Sequence, residues 1–214
     1  MATEEKFNYK LLVEGVDDLN VVKHLHNNLV GTINFDLIEC KGYTNLTKVL
    51  EVRLKGIDAT EEGIFGVLID ADEDIKNRWV SIRNQFIKQG INIPENLPKE
   101  GLIFKNFKPD IKIGIWIMPN NNQNGMLEDF IKFLVPNDDS LLPIAKSTLD
   151  TIEAQNLQKY ATEHKSKALI HTWLAWQEDS GTPMGLSITK KYLTTDEETC
   201  MKFVNWLKEL FKPD

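Results

Sequence analysis

Hydrophobic positions along this chain recur at two spacings, and the switches between them outline its elements. Residues 9–14 (YKLLVE) are a short apolar run ended by an acid and Gly15, which reads as a buried strand. Beyond it, Leu19, Val22, Leu25 and Leu29 repeat at helical spacing, with Asp17 placed to cap the helix they define. Residues 33–39 (INFDLIE) predict a second strand, and Gly42 turns the chain into a helix over roughly 44–55. Residues 64–70 (IFGVLID) are apolar throughout, as a central parallel strand should be. Ile75, Trp79, Ile82 and Phe86 then predict a helix over 74–89. The stretch 90–109 is punctuated by Pro and Gly, with room for a small strand at 102–105. A further strong strand follows at 111–118 (IKIGIWIM). After the polar loop PNNNQNG a helix begins near Leu127, and from about 141 the pattern is helical to the end, broken at EDSGTPMG (178–185).

Alternation of strand and helix predicts an α/β fold, a mostly parallel four-stranded sheet with helices on both faces. Residues 1–140 would form this core, and 141–214 an α-helical C-terminal extension packed on it. At 214 residues with 42% hydrophobic and 27% charged positions, the chain suits one domain with an ample core. No run approaches a membrane span, and the opening MATEEKFNYK lacks the apolar stretch of a signal peptide. Cys40 and Cys200 lie far apart without CxxC spacing, which favours buried thiols and a cytoplasmic setting. A net charge of -7 argues against a protein that coats nucleic acid, but not against an enzyme acting on it, since metal ions can offset acids locally.

The acids are not scattered at random. In GVLIDADED (66–74) an apolar run stops and Asp70, Asp72, Glu73 and Asp74 follow within five positions. Ligands of an open parallel sheet bind at the carboxyl ends of its strands. Glu14 ends the first strand, Asp70 ends the third, Asp72 lies just beyond, and Glu128 and Asp129 open the helix after the fourth. In extended chain, residues i and i+2 point the same way at roughly 6.5–7 Å, so Asp70 and Asp72 are expected to share one cation, with Glu14 facing them if strands one and three are neighbours. An all-oxygen donor set suits magnesium or manganese better than zinc. A blander account covers some of these acids one at a time, because helix starts favour Asp and Glu: Asp17, Asp74, Glu128 and Asp129 qualify.

LLVEGVDDLNVVKHL and VLIDADED, in this order and strand context, resemble the two acidic motifs of the TOPRIM domain, found in topoisomerases, DnaG-type primases and OLD-family nucleases. The glutamate, the following glycine and the acid four positions on match Glu14, Gly15 and Asp18; the DxDxD run matches Asp70, Asp72 and Asp74. The resemblance covers roughly residues 8–135. With GMLEDFI and HKSKALIHTWLAWQ it looks closest to stand-alone bacterial TOPRIM proteins related to the OLD nucleases. It implies a magnesium- or manganese-dependent phosphodiester hydrolase acting on DNA or RNA, held by Glu14, Asp18, Asp70, Asp72, Asp74 and Glu128. Glu14 would also exchange protons. Lys167 matches the late lysine of OLD sites, with Lys165 as the other candidate. A role in bacterial defence and an ATPase partner chain are implied by the resemblance alone. This chain has no GxxxxGK[ST] loop, no topoisomerase gate and no zinc-binding cysteines. A binding or regulatory module, a phosphatase and a nucleotidyl transferase all share such a cage and remain alternatives.

Other residues invite blander readings. His24 and His26 are expected at the surface, and His164 and His171 in structural roles. Trp173 and Trp176 are expected in the core, Lys190 and Lys191 as a solvated pair. Turn chemistry alone accounts for the Asn and Gly of PNNNQNG.

Overall fold

The computed structural model describes residues 9–56, 62–107 and 110–212; of the N-terminal stretch 1–10 read above for a leader, residues 1–8 lie outside them. Strand β1 (Tyr9–Val13), helix α1 (Val16–Leu29), β2 (Asp36–Glu39), α2 (Tyr43–Gly56), β3 (Glu62–Asp70) and α3 (Ile75–Lys88) follow the predicted order. Next come β4 (Leu102–Phe107), β5 (Asp110–Met118) and α4 (Leu127–Leu134). The C-terminal part consists of α5 (Leu141–Ala154), α6 (Lys165–Ala175), α7 (Met184–Thr189) and α8 (Glu198–Leu210), with one 3-10 turn at Thr162–His164 before α6.

The described residues form a five-stranded sheet in the order β2-β1-β3-β5-β4, not the four strands expected. The additional strand is β4, which pairs antiparallel with β5 from Leu102 opposite Ile115 to Phe107 opposite Asp110. Only residues 108 and 109 lie between the two strands. So short a connection permits an antiparallel hairpin and no parallel crossover. The other three pairings are parallel.

Both faces of the sheet are covered, which explains why its central strands read as unbroken apolar runs. Leu11, Val13, Leu68, Trp116 and Met118 point into one cluster with α1, α4 and the C-terminal helices. Their alternates Leu12, Phe65, Val67, Ile69, Ile113, Ile115 and Ile117 point into a second cluster with α2 and α3. The C-terminal helices therefore belong to the core. Leu210 of α8 fills room left by Gly66 and Gly114, which sit opposite each other on β3 and β5. A Cβ at Gly114 would stand 2.3 Å from Leu210 Cδ2. Trp206 Nε1 donates to the carbonyl of Leu102 at 2.9 Å, pinning α8 to the edge hairpin. On α7, a Cβ at Gly185 would lie 2.8 Å from the Asn20 backbone, so α7 and α1 meet at van der Waals contact.

Some local expectations give way to tertiary packing. Helix α1 starts at Val16, two residues earlier than an Asp17 cap would set; Gly15 is the N-cap, and Asp18 accepts its N–H at 2.9 Å. His26, expected at the surface, is buried: its Nδ1 bonds the Gly31 carbonyl at 2.9 Å and its ring meets Phe35 edge-on. Trp173 is buried with its indole N–H on Asp139 Oδ1 at 3.1 Å, whereas Trp176, expected beside it in the core, is 40% exposed. Lys190 pairs with Asp179. Cys40 and Cys200 are free, buried thiols, and burial pushes them up to about 11 and about 12. Among the described residues, no helix is long and apolar enough to cross a membrane.

Candidate functional site

The strand order reverses between β1 and β3. From β1 the chain crosses to β2 on one side, and from β3 it proceeds to β5 on the other. Such a reversal leaves a crevice at the carboxyl ends of the two strands. Glu14 is the first residue beyond β1 and Asp70 the last of β3, so register alone brings them to this crevice. Glu14 Oε1 accepts the N–H of Asp70 at 3.0 Å. Asp70 Oδ1 in turn accepts the N–H of Leu127, the first residue of α4, at 3.0 Å, which puts its charge against the positive end of that helix.

Glu128 follows Leu127 and is only 2% exposed; Lys167 of α6 reaches it with Nζ–Oε1 at 2.7 Å. Asp18, 6% exposed, completes the group from α1. Glu14, Asp18, Asp70, Glu128 and Lys167 line a crevice of about 390 Å³. Asp18 spends Oδ2 on the Gly15 N–H, while its Oδ1 is buried without a hydrogen-bond partner.

Gathering acids here raises three of them, Glu14, Asp18 and Asp70. Burial, with the charges of Glu14 and Glu128 adding to it, pushes Asp18 up to about 7 against the Gly15 hydrogen bond. Burial and the neighbouring Asp18, Glu14, Glu128 and Asp72 hold Asp70 well above the usual carboxylate range. Glu14 is raised by burial, opposed by the Asp70 amide and the Arg78 charge. Burial works against the charge of Lys167, but its hydrogen bond to Glu128 and the carboxylates of Asp17 and Asp70 outweigh that and raise its pKa.

The second aspartate of the DxD run does not join them. Asp72 has φ 51°, in the left-handed region, and exchanges backbone hydrogen bonds with Gly125 at 2.9 and 2.8 Å. The segment is bent where the i, i+2 argument needs it extended. The Asp72 carboxylate pairs with Arg78 and lines a separate, larger cleft of about 660 Å³. Asp74 caps α3, accepting the Asn77 N–H at 3.0 Å and its side-chain amide at 2.8 Å. Asp129 accepts the Met126 N–H at 3.1 Å and the Ser166 hydroxyl at 2.6 Å. Of the two candidate lysines, Lys167 reaches the crevice. Lys165 is held by Asp150 at 2.8 Å and Glu153 at 2.5 Å.

PNNNQNG is built by its own amides. Asn120 Oδ1 accepts from Asn122 and Gln123, buried Asn121 Oδ1 from Ile117, and Asn124 Oδ1 from Ile75. Arg78 and Tyr43 escape a sequence reading. The Arg78 guanidinium lies 3.7 Å over the Tyr43 ring, whose hydroxyl donates to Ser81 Oγ at 2.7 Å. A basic residue one turn into the helix after an acidic run was the only signal, and Lys76 shares it.

Among the described residues, no three His, Cys, Asp or Glu side chains already stand as a metal cage. The crevice nonetheless suits a hard divalent cation by its chemistry. Its donors are all carboxylate oxygens. One of them, Asp18 Oδ1, is buried and unpartnered, and burial disfavours the charged forms of three of the acids.

No curated protein and no solved structure matches the chain. A family model described as a protein of unknown function, DUF3226, matches residues 8–212, from the first strand past the last helix. The sheet and the C-terminal helices thus fall within one match, and the chain belongs to the DUF3226 family.

Proposed function

We propose that the crevice is the active site of a magnesium- or manganese-dependent phosphodiester hydrolase, a nuclease of the TOPRIM/OLD type acting on DNA or RNA. The observation that supports it most is the convergence of Glu14, Asp18, Asp70 and Glu128 with Lys167 at the strand-order reversal, with Asp18 Oδ1 buried and unpartnered. Glu14, Asp18, Asp70 and Glu128 would hold the ion, while Asp72 and Asp74 line the neighbouring cleft. When bound, such an ion orients water and offsets charge developing on phosphate oxygens.

The chain's own groups supply the rest. Glu14 is half-buried and burial raises its pKa above the ordinary glutamate value, which suits a carboxylate that takes and returns a proton. Its other role is to hold the end of β3 through the Asp70 amide. Lys167 carries a positive charge at the rim, available to a phosphate oxygen once Glu128 is otherwise neutralised. Defence activity and an ATPase partner rest on the resemblance and add nothing to this chemistry.

The test is incubation with single-stranded, duplex and supercoiled DNA, RNA and phosphomonoesters in magnesium or manganese. Wild type should cleave a polynucleotide. Glu14→Gln, which keeps volume but cannot take a proton, should not. Lys167→Ala should cleave more slowly by roughly 10²–10³ with its metal response intact. Cleavage of phosphomonoesters alone would move the assignment to a phosphatase, and equal cleavage by Glu14→Gln would end it.

A second reading, a regulatory module that binds ions or nucleotides without cleaving, draws on one observation. Two of the acids already carry protein cations, Glu128 with Lys167 and Asp72 with Arg78. Metal-dependent stabilisation without turnover on any substrate would favour it.

A further inference from the structure

The larger cleft shares its walls with the acid crevice. Asp70 lines the crevice, and Ala71 and Asp72 line the cleft; Leu127 and Glu128 face the crevice, and Gly125 and Met126 the cleft. A ligand bound in one therefore lies beside a ligand bound in the other. A volume of about 660 Å³ is ample for a nucleoside monophosphate.

Arg78 dominates this cleft. Its side chain is only 13% exposed, its guanidinium carbon lies over the Tyr43 ring, and Tyr43 is itself anchored through Ser81. A guanidinium immobilised in this way is a prepared fork for two oxygens of one anion. The anion it now meets is the Asp72 carboxylate, through one guanidinium nitrogen and Oδ2. Two other acids inside the cleft have their oxygens held by neutral donors away from Arg78. Asp74 is engaged by Asn77, and Asp129 by Met126 and Ser166. Glu73 and Glu163 are exposed, where water and salt screen them.

We propose that this cleft is a binding site for a nucleoside phosphate, with Arg78 gripping the phosphate in place of Asp72. The inference rests on the reading that the adjacent crevice handles phosphodiesters, and it makes the cleft the subsite for the flanking nucleotide. Asp72 is then the residue that keeps the guanidinium aligned between ligands. A polynucleotide strand and a free nucleotide carry the same recognition chemistry, so both serve as probes.

The experiment measures binding of a fluorescent phosphorothioate oligonucleotide, and of nucleoside 5′-monophosphates as competitors, to the full chain in magnesium. Wild type should bind. Arg78→Ala should weaken binding about tenfold or more, as expected for loss of charge-assisted hydrogen bonds. Arg78→Lys should fall between, because an ammonium lacks the fork, and Lys190→Ala should bind like wild type. Competition by monophosphates at concentrations near those of the oligonucleotide points to a free nucleotide; its absence points to a strand. If Arg78→Ala melts well below wild type, Arg78→Lys decides: weakened binding at an unchanged melting temperature supports the subsite, and wild-type affinity overturns it. No binding of either probe by wild type, or equal binding by Arg78→Ala, also overturns it. Arg78-dependent binding of the probe, with no cleavage of unmodified DNA or RNA in magnesium or manganese, would instead sink the nuclease reading and leave the subsite standing.

Discussion

Replacing Asp18 by Asn removes a charge that the fold buries and does not fully satisfy. Asn preserves the shape and keeps an oxygen for the Gly15 N–H, while an amide takes the place of the unpartnered Oδ1. In the metal-free protein the Asp18 carboxyl titrates at about 7 rather than 3.8. Between those values the folded chain holds a proton that the unfolded chain has released. The associated stability is therefore fully present below about pH 4 and is lost as pH rises through 7. From pH 5 to pH 8 this corresponds to about 3 kcal/mol lost by wild type and not by Asp18→Asn. For a chain of this size that is roughly 6–12 °C in melting temperature. Asp18 also raises its neighbour Asp70, so the variant relieves a second acid in the same direction. The assay is thermal and urea unfolding of both proteins at pH 5 and pH 8 with EDTA. Repetition in magnesium should close much of the gap at pH 8, because an ion that binds the ionised folded state stabilises it. Equal pH dependence in the two proteins, or a variant less stable than wild type at pH 8, would refute the claim that Asp18 is a buried, repelled carboxylate.

Asp70→Asn should abolish the magnesium-induced rise in melting temperature, whereas Asp72→Asn, in the neighbouring cleft, should keep most of it; the reverse pattern would relocate the ion. Asp74→Ala should cost about 1 kcal/mol in urea unfolding through loss of the α3 cap and leave the metal response unchanged. Leu210→Ala should cost about 2–5 kcal/mol, since the room over Gly114 is filled by Leu210, which also packs beside Leu11 and Phe211 over Gly66. A loss under 1 kcal/mol would mean that α8 is not a structural part of the sheet's core.

Much of the architecture is local enough to be read residue by residue. β1, β3 and β5 announce themselves as apolar runs because each is buried on both faces, and α1, α2 and α3 because each buries one stripe. Glu14 and Asp70 follow from this, since an acid that ends a buried strand must lie at the sheet's edge. β4 announces itself only as the small strand read at 102–105, not as a member of the sheet: Leu102 faces the core while Ile103 is 37% exposed, a short half-buried edge amid Pro- and Gly-rich chain. What periodicity cannot supply is the identity of partners distant in the chain. That Glu14 meets Asp70 required β1 and β3 to be neighbours, which only the packed sheet decides. That Asp72 turns away from Asp70 depends on its bridge to Gly125, more than fifty residues later. That Lys167 and not Lys165 reaches Glu128 depends on how α6 lies against α4 and α5. Amino-acid type and spacing set which residues prefer burial or water, because those preferences act within a turn or a pleat; which carboxylates and cations meet is set by contacts across the chain, which exist only once the elements have packed.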